Sequence, residues 1–168
     1  MSRDRVQAAV DQIQFARRFT SMFLENLSSD EWFWQPDEGV THIAWQVGHL
    51  ATSQYGLCLL RQRGTLDADE NLITEEFRAS FGKGSEPVAG SQNNLAAKTI
   101  QAVFEGVYEQ VQAELAQQTD QQLDVPAGKP HPVFDTKLGA IQWASGHELV
   151  HAGQIALLRR LMGKQPLR

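Results

Sequence analysis

The segment HELVH, residues 147–151, carries side chains that could bind a metal ion. It matches the pattern H-E-x-x-H, in which two histidines one helical turn apart bind zinc and the glutamate acts as a general base in peptide hydrolysis. The residues here are His147, Glu148 and His151. Three interpretations are open at this point: a metalloprotease, another kind of metal site, or a helix whose histidines are hydrogen-bonded core residues.

The spacing of the two histidines places them together on a helix. At about 100° per residue, His147 and His151 lie about 40° apart on one face and one turn along the axis. Ala140, Trp143 and Leu158 share that face, so the pair points into an apolar stripe. Burying an imidazole costs free energy unless its nitrogens find partners. A metal ion or hydrogen bonds must therefore satisfy both rings.

The position of a third ligand excludes the protease interpretation. In the zincin proteases it lies downstream, as a glutamate or as the last histidine of H-E-x-x-H-x-x-G-x-x-H. Here Gln154 stands in place of that glycine and Leu157 in place of that histidine, and no Asp, Glu, His or Cys follows His151. A third ligand must come from upstream.

Three upstream histidines remain as candidates for the third ligand. His49 is the best, because it lies two turns inside a predicted helix. His42 precedes His49 by seven residues and shares its azimuth, but at the helix mouth we expect it to be solvated or to contact a metal ligand. His131 lies in a loop between two prolines.

Four long segments with helical spacing must position these histidines, and no segment alternates with a period of two. The chain is therefore predicted to be all-α. The apolar residues of the first segment recur every three or four positions: Val6, Val10, Ile13, Phe15, Phe19, Met22 and Phe23. The predicted helices span residues 4–27, 41–63, 92–118 and 136–162, with Ser28 capping a short turn, Thr41 capping the second helix and Gly64 ending it.

Four amphipathic helices of this length predict a four-helix bundle with a long crossover connection after the second helix. About 28 residues can cross the length of a bundle. We expect the second and fourth helices to run side by side in the same direction, which would bring His49 level with His147 and His151.

Composition limits the other functions of the chain. Its 168 residues, 42% of them apolar, predict a single domain over residues 1–168. A formal charge of −5 without a basic stripe argues against nucleic-acid binding. One cysteine, Cys58, fits a reducing compartment, and no segment is typical of a membrane span or a secretory signal. We expect a cytoplasmic protein without a membrane partner.

Two stretches in combination resemble a known family. WQVGHLATSQ on the second helix, with HELVHAGQIALLRRLMGKQP closing the chain, is similar to the DinB-like (YfiT-like) superfamily of metal-dependent four-helix-bundle proteins. The resemblance covers the whole chain in the order of its elements. It implies a bundle of atypical topology, often a homodimer, with a divalent metal ion such as zinc or nickel held by His49, His147 and His151. Better understood relatives use low-molecular-weight thiols such as bacillithiol and mycothiol.

The resemblance and the motif together suggest roles for neighbouring side chains. A metal ion held by three neutral imidazoles lowers the pKa of a bound water or thiol. Glu148 is either the general base or, at 100° from His147, a side chain that points to solvent, and Gln154 is expected to hold a ligand water or the substrate. Gln46 and Ser53 are candidates to hydrogen-bond the metal ligands. Three further residues are expected to be core or pocket wall: Trp45, Trp143 and Cys58.

The acidic stretch DADEN, residues 67–71, begins like a calcium loop but lacks the required glycine and glutamate, where Leu72 and Arg78 stand. We interpret it as a solvated charge run. Two classes of function remain. The first is a metal-dependent enzyme acting on a small molecule, as a thiol-dependent S-transferase or a hydrolase. The second is a non-catalytic, homodimeric bundle that binds a metal or another ligand.

Overall fold

Helices build the computed structural model, which describes residues 2–37 and 39–166. Within those ranges there is no β-strand, and one isolated bridge joins Pro126 to Thr136. The long helices and the segments continuous with them are α1 (Asp4–Leu24), α3 (Ile43–Tyr55) with a π-helical turn (Gly56–Leu60) and α4 (Arg61–Arg63), α6 (Ala97–Leu115) and α8 (Lys137–Leu161). The predicted four-helix bundle with a long crossover is confirmed.

Short helices occupy the connections between the long ones. They are α2 (Ser29–Trp32), a 3-10 helix (Asp67–Asn71), α5 (Glu75–Phe81), a second 3-10 helix (Ser91–Asn93) and α7 (Asp120–Leu123). Ser28 caps α2 through a capping box with Glu31, as the sequence predicted. None of the helices in the described ranges is long and apolar enough to cross a membrane.

Side chains at the ends of α3 and α8 define where these helices begin. Thr136 caps α8 by accepting a hydrogen bond from the backbone N–H of Gly139. The predicted cap Thr41 is wrong by one residue: Nδ1 of His42 accepts from the backbone N–H of Trp45 at 3.0 Å. An imidazole thus takes the place of the usual hydroxyl or carboxylate oxygen. Gly64, at φ +83°, ends the helical run as predicted.

The long helices form two parallel pairs. α1 packs mainly against α8, and α3 against α6. Arg17 of α1 pairs with Glu148, and the carbonyl of Phe23, further along α1, accepts from Arg159, so α1 and α8 run in the same direction. Arg17 also donates to Gln54 of α3 and to the carbonyl of Phe104 in the middle of α6. Arg63 at the end of α4 pairs with Glu114 near the end of α6, so α3 and α6 run in the same direction.

The two pairs run in opposite directions. Near the start of α3, Gln46 contacts Gln154, whereas Gln62 of α4 contacts the carbonyl of Lys137. The prediction that the second and fourth long helices run in the same direction is therefore wrong. Antiparallel packing also brings His49 level with the middle of α8. Since α3 and α6 run the same way, the connection between them has to cross the length of the bundle, as predicted.

The acidic stretch at the start of the crossover is exposed at Asp67 and Glu70, as predicted for a solvated charge run, but not at Asp69. Asp69 is buried, accepts from Tyr55 Oη at 2.9 Å and pairs with Arg63 at 2.8 Å. The hydrogen bond from Arg63 leads the interactions that lower the pKa of Asp69 to about 2. This contact fixes the crossover to the end of the helical run that α3 begins.

Candidate metal centre

Three histidines meet at the seam between the two helix pairs. His49 projects from α3, and His147 and His151 project from α8. Each offers one ring nitrogen, and the three nitrogens lie within 4.8 Å of one another. The antiparallel packing of α3 against α8 thus brings together the three residues that the sequence singled out.

The two histidines of α8 lie at a spacing that suits a shared ion. Nε2 of His147 is 3.2 Å from Nε2 of His151. Two nitrogens that bind one zinc ion tetrahedrally, at about 2.0–2.1 Å each, are about 3.3 Å apart. A hydrogen bond from one neutral ring to the other also satisfies this contact, so the pair can exist with or without an ion.

Hydrogen bonds to the other ring nitrogens orient two of the three imidazoles. Nδ1 of His151 donates to Oε1 of Gln46, and Nε2 of Gln46 donates to Oε1 of Gln154 at 2.6 Å. Nδ1 of His49 donates to the carbonyl oxygen of Phe81 at 2.8 Å. With the proton on Nδ1, each neutral ring presents the Nε2 lone pair, as metal-binding histidines usually do.

Ser53 contacts the other nitrogen of His49. Its hydroxyl lies one turn further along α3 and donates to Nε2 of His49 at 3.3 Å. Because Nε2 is the nitrogen left to bind a metal, Ser53 would compete with an ion for that lone pair.

The carbonyl that holds His49 depends on a glycine in α3. Phe81 ends α5 and is buried. A Cβ at Gly48 would lie 2.5 Å from two atoms of the Phe81 ring, a distance that no side chain tolerates. Gly48 therefore allows α5 to end against α3 at the place where its last carbonyl meets His49.

Burial keeps the cluster neutral. It is the largest cause of a lowered pKa in all three rings, and neighbouring imidazoles lower the pKa further in the α8 pair. The pKa is about 4 for His147 and about 3 for His151. All three are therefore unprotonated at neutral pH, which is the form that binds a metal.

Two tryptophans flank the cluster. The indole of Trp45 stacks on His49, with ring centroids 4.8 Å apart and planes 7° from parallel. The ring centroids of Trp143 and His147 are 6.1 Å apart, and both tryptophans are partly buried. Trp45 thus contacts a metal-ligand candidate directly.

Glu148 does not face the cluster or the solvent. Its carboxylate is buried and accepts from Nε of Arg17 at 2.9 Å. Among the described residues, the group that could hold an ion comprises histidines alone. The placement gives no support to Glu148 as a general base.

The other histidines and the cysteine lie outside the cluster. His42 is fully buried and donates from Nε2 to the carbonyl of Val88 at 3.0 Å, so the expectation that it is solvated or contacts a metal ligand is not met. His131 stacks on Phe134 in its loop. Cys58 is buried, and burial raises the pKa of its thiol, in keeping with the expected role as a small core residue.

Sequence reasoning missed three residues around the cluster: Gly48, Phe81 and Arg17. A glycine inside a helical pattern signals a close approach, so Gly48 could have been found. Arg17 follows Ile13 by four positions on the buried stripe of α1, where a charged residue is an anomaly. The carbonyl of Phe81 left no such signal, because any residue carries one.

The geometry defines what the cluster can do. Three neutral imidazoles, two of them held through Nδ1, match the donor set of zinc and other borderline divalent ions. The set leaves at least one position open for water or substrate. The residues present therefore fit a metal ion of this class.

Comparison with known protein families gives one match over most of the chain. A family model described as the DinB superfamily matches residues 12–155, a stretch that includes all three histidines. A search of curated proteins finds no match.

Proposed function

Since the chain belongs to the DinB superfamily, we propose that it is a divalent-metal-dependent enzyme that transfers a low-molecular-weight thiol to an electrophilic small molecule. His49, His147 and His151 bind the ion, with zinc or nickel the best matches to three imidazoles. Gln46 and the carbonyl of Phe81 hold two of these ligands.

One observation favours thiol transfer over hydrolysis. Within the described residues, no carboxylate joins the histidine cluster, and Glu148, the carboxylate of the HELVH motif, is paired with Arg17. A metal ion would ionise a bound water as well as a bound thiol, but hydrolysis of an ester or amide also needs a side chain that moves a proton to the leaving group. Transfer of a thiolate to a carbon that carries a stable anionic leaving group needs no such side chain, so a cluster of histidines alone suits it better.

The ion would stabilise a thiolate near neutral pH, because its positive charge favours the anion of a bound thiol. In the transfer, the sulfur forms a bond to an electrophilic carbon while the leaving group departs with its bonding electrons. Trp45 and Trp143 supply apolar surface for the small molecule. The exposed amide of Gln154, already fixed by Gln46, offers it a hydrogen bond.

Metal-dependent turnover tests this proposal. Protein without a histidine tag is stripped with a chelator, reloaded with zinc or nickel, and assayed for conjugation of N-acetylcysteine or another small thiol to chlorodinitrobenzene. We expect turnover to follow metal content and to disappear in His49→Ala. Hydrolysis of a test ester without any thiol supports the hydrolase alternative. Stoichiometric metal without either reaction supports the non-catalytic binding bundle and contradicts the enzyme.

We also propose that two copies of the chain pair through an apolar face of α1 and α8. Phe15, Phe19 and Met22 are 54%, 37% and 38% exposed and recur at helical spacing on α1. Leu149 and Leu157 are 36% and 55% exposed on α8, and Leu149 lines one groove together with Phe15. Exposed apolar surface shared by two packed helices is typical of an interface.

The mass of the protein in solution tests this pairing. Light scattering should give twice the chain mass for the wild type and the chain mass for Phe15→Ser/Leu149→Ser. The matched control Val133→Ser changes another exposed apolar residue, 53% exposed in the loop before α8, and should remain a dimer. A monomeric wild type contradicts the proposal.

A further inference from the structure

A single buried guanidinium joins all four long helices beneath the histidine cluster. Arg17 of α1 is 6% exposed. It donates to Oε1 of Glu148 on α8 at 2.9 Å, to Oε1 of Gln54 on α3 at 2.8 Å and to the carbonyl of Phe104 on α6 at 2.9 Å. Its central carbon also lies 3.4 Å from the centroid of the Phe104 ring. Among the described residues, no other side chain hydrogen-bonds to groups on three other long helices.

The two side chains that Arg17 joins are chain neighbours of the cluster. Glu148 directly follows His147, and Gln54 directly follows Ser53, which contacts His49. Successive residues on a helix point about 100° apart, so Glu148 turns inward while His147 faces the cluster. Arg17 therefore connects α3 to α8 at the level of the cluster, from the side of the core.

The bundle needs a connection between its two helix pairs at the level of the histidine cluster. The cluster spans the seam between the α1/α8 pair and the α3/α6 pair, and its ligands come from both sides. Packing within each pair is more extensive than packing between α3 and α8. The distance from His49 to the α8 histidines therefore depends on whatever fixes α3 against α8.

Stability alone does not explain a buried ion pair at this place. Desolvation of the two charges offsets much of their attraction, and apolar side chains of similar volume often give a fold that is as stable or more so. What an ion pair supplies, and apolar contacts do not, is direction: the guanidinium has fixed donors, and here three of them are used by acceptors on three different helices.

We propose that Arg17 and Glu148 form a brace that fixes α3 against α8 and so sets the affinity and geometry with which the three histidines bind a metal ion. The inference rests on the proposed metal binding. Both are positioning residues: neither touches the ion or the substrate. Glu148, the glutamate of the HELVH motif, thus orients the metal ligands from the core side of the cluster and takes no part in proton transfer.

Removing both charges separates positioning from folding. Cobalt(II) is the probe, because its absorption spectrum reports ligand geometry and its dissociation constant can be measured by competition with a chelator. In Arg17→Met/Glu148→Leu we expect a folded protein that binds cobalt about 10–100-fold more weakly, the range found when groups that orient ligands are lost. We also expect an altered visible spectrum.

A second, partly buried ion pair provides the matched control. Arg63 and Asp69 pair at 2.8 Å at the other end of the same helical run, about 21 Å along the axis from His49 at about 1.5 Å per residue. Arg63→Met/Asp69→Leu should change stability but leave the cobalt affinity and spectrum as in the wild type.

Each outcome of these experiments either supports or overturns the proposed brace. A folded Arg17→Met/Glu148→Leu protein with the wild-type affinity and spectrum overturns it. If that protein does not fold, Arg17→Lys decides, because lysine keeps the charge but cannot reach three acceptors in fixed directions: weaker cobalt binding supports the brace, and wild-type binding overturns it. A wild-type protein that binds no cobalt instead defeats the proposed metal site itself.

Discussion

Gln46 on α3 accepts a hydrogen bond from Nδ1 of His151 on α8, across the seam that separates the two helix pairs. The contact sets both the proton position and the orientation of that imidazole. It also makes the metal ligands on one helix dependent on a side chain from the other.

Gln46 and Ser53 are expected to differ in their effect on metal binding. Gln46→Ala leaves Nδ1 of His151 without its acceptor, so we predict a loss of metal affinity of about 10–100-fold. Ser53→Ala removes a donor that occupies Nε2 of His49, so affinity should stay the same or rise. Competition titrations with a coloured chelator measure both constants. Equal losses in the two variants would show that the geometry around His49 is misunderstood.

Gly48→Ala is expected to damage both stability and metal binding. The added methyl group overlaps the Phe81 ring, which must move, and such overpacking costs about 1–3 kcal/mol. Because the carbonyl of Phe81 holds His49, metal affinity should fall as well. Urea unfolding and metal titration measure the two effects.

Gly153→Ala is the matched control for this change. Gly153 lies in α8 near the ligands, but nothing stands within 4 Å of its missing Cβ. Alanine should stabilise the helix there by about 0.5–1 kcal/mol and leave metal affinity unchanged. Similar behaviour of the two variants would mean that the approach of Phe81 to Gly48 has no role in the site.

The metal-free protein is expected to lose stability as the pH falls below about 6.5. The pKa of His147 and His151 is about 4 and about 3 in the fold and about 6.5 in the unfolded chain. The unfolded chain therefore takes up protons first, and the free energy of unfolding decreases as the pH falls from 6.5 towards the folded values. Above about pH 6.5 this contribution is fully present.

Urea unfolding at several pH values tests this dependence. The measurements should end at about pH 4.5. Below that pH, carboxylates whose pKa is also lowered, such as Asp69, add their own dependence of stability on pH. His147→Gln/His151→Gln should show a shallower fall, with the remainder due to His42 and His49, which burial also keeps neutral. A slope as steep as that of the wild type would be inconsistent with neutral buried imidazoles at these two positions.

The cluster was predictable from the sequence because its ligands follow local rules. His147 and His151 share a helical face by spacing alone, and the motif excluded a downstream third ligand, which left His49 as the best choice. The helices themselves were predictable because apolar residues recur with the helical period.

The direction of the helices was not predictable in the same way. Spacing places each histidine along its own helix but does not say which way the helix runs, and a long connection permits either direction. The choice between parallel and antiparallel packing depends on contacts such as those between Gln46 and Gln154, which have no local signature.

The pairing of Glu148 with Arg17 was not predictable, because a motif specifies residue types without their neighbours. The carboxylate faces inward, where Arg17 from a helix more than a hundred residues away neutralises it. Similarly, Phe15 and Phe19 were counted among the apolar stripe of α1, yet they form a second, exposed stripe beside the buried one. Two adjacent apolar stripes cannot be assigned to core or surface by spacing alone.

The most direct test of this account is the number of metal ions bound per chain and its dependence on His49. Tag-free protein loaded with zinc or nickel should hold one ion per chain. His49→Ala should weaken binding by more than the about 10–100-fold that loss of an outer hydrogen bond costs, and His131→Ala, a histidine outside the cluster, should bind as the wild type does. A wild type that binds no ion, or His49→Ala that binds it equally well, would contradict the shared site.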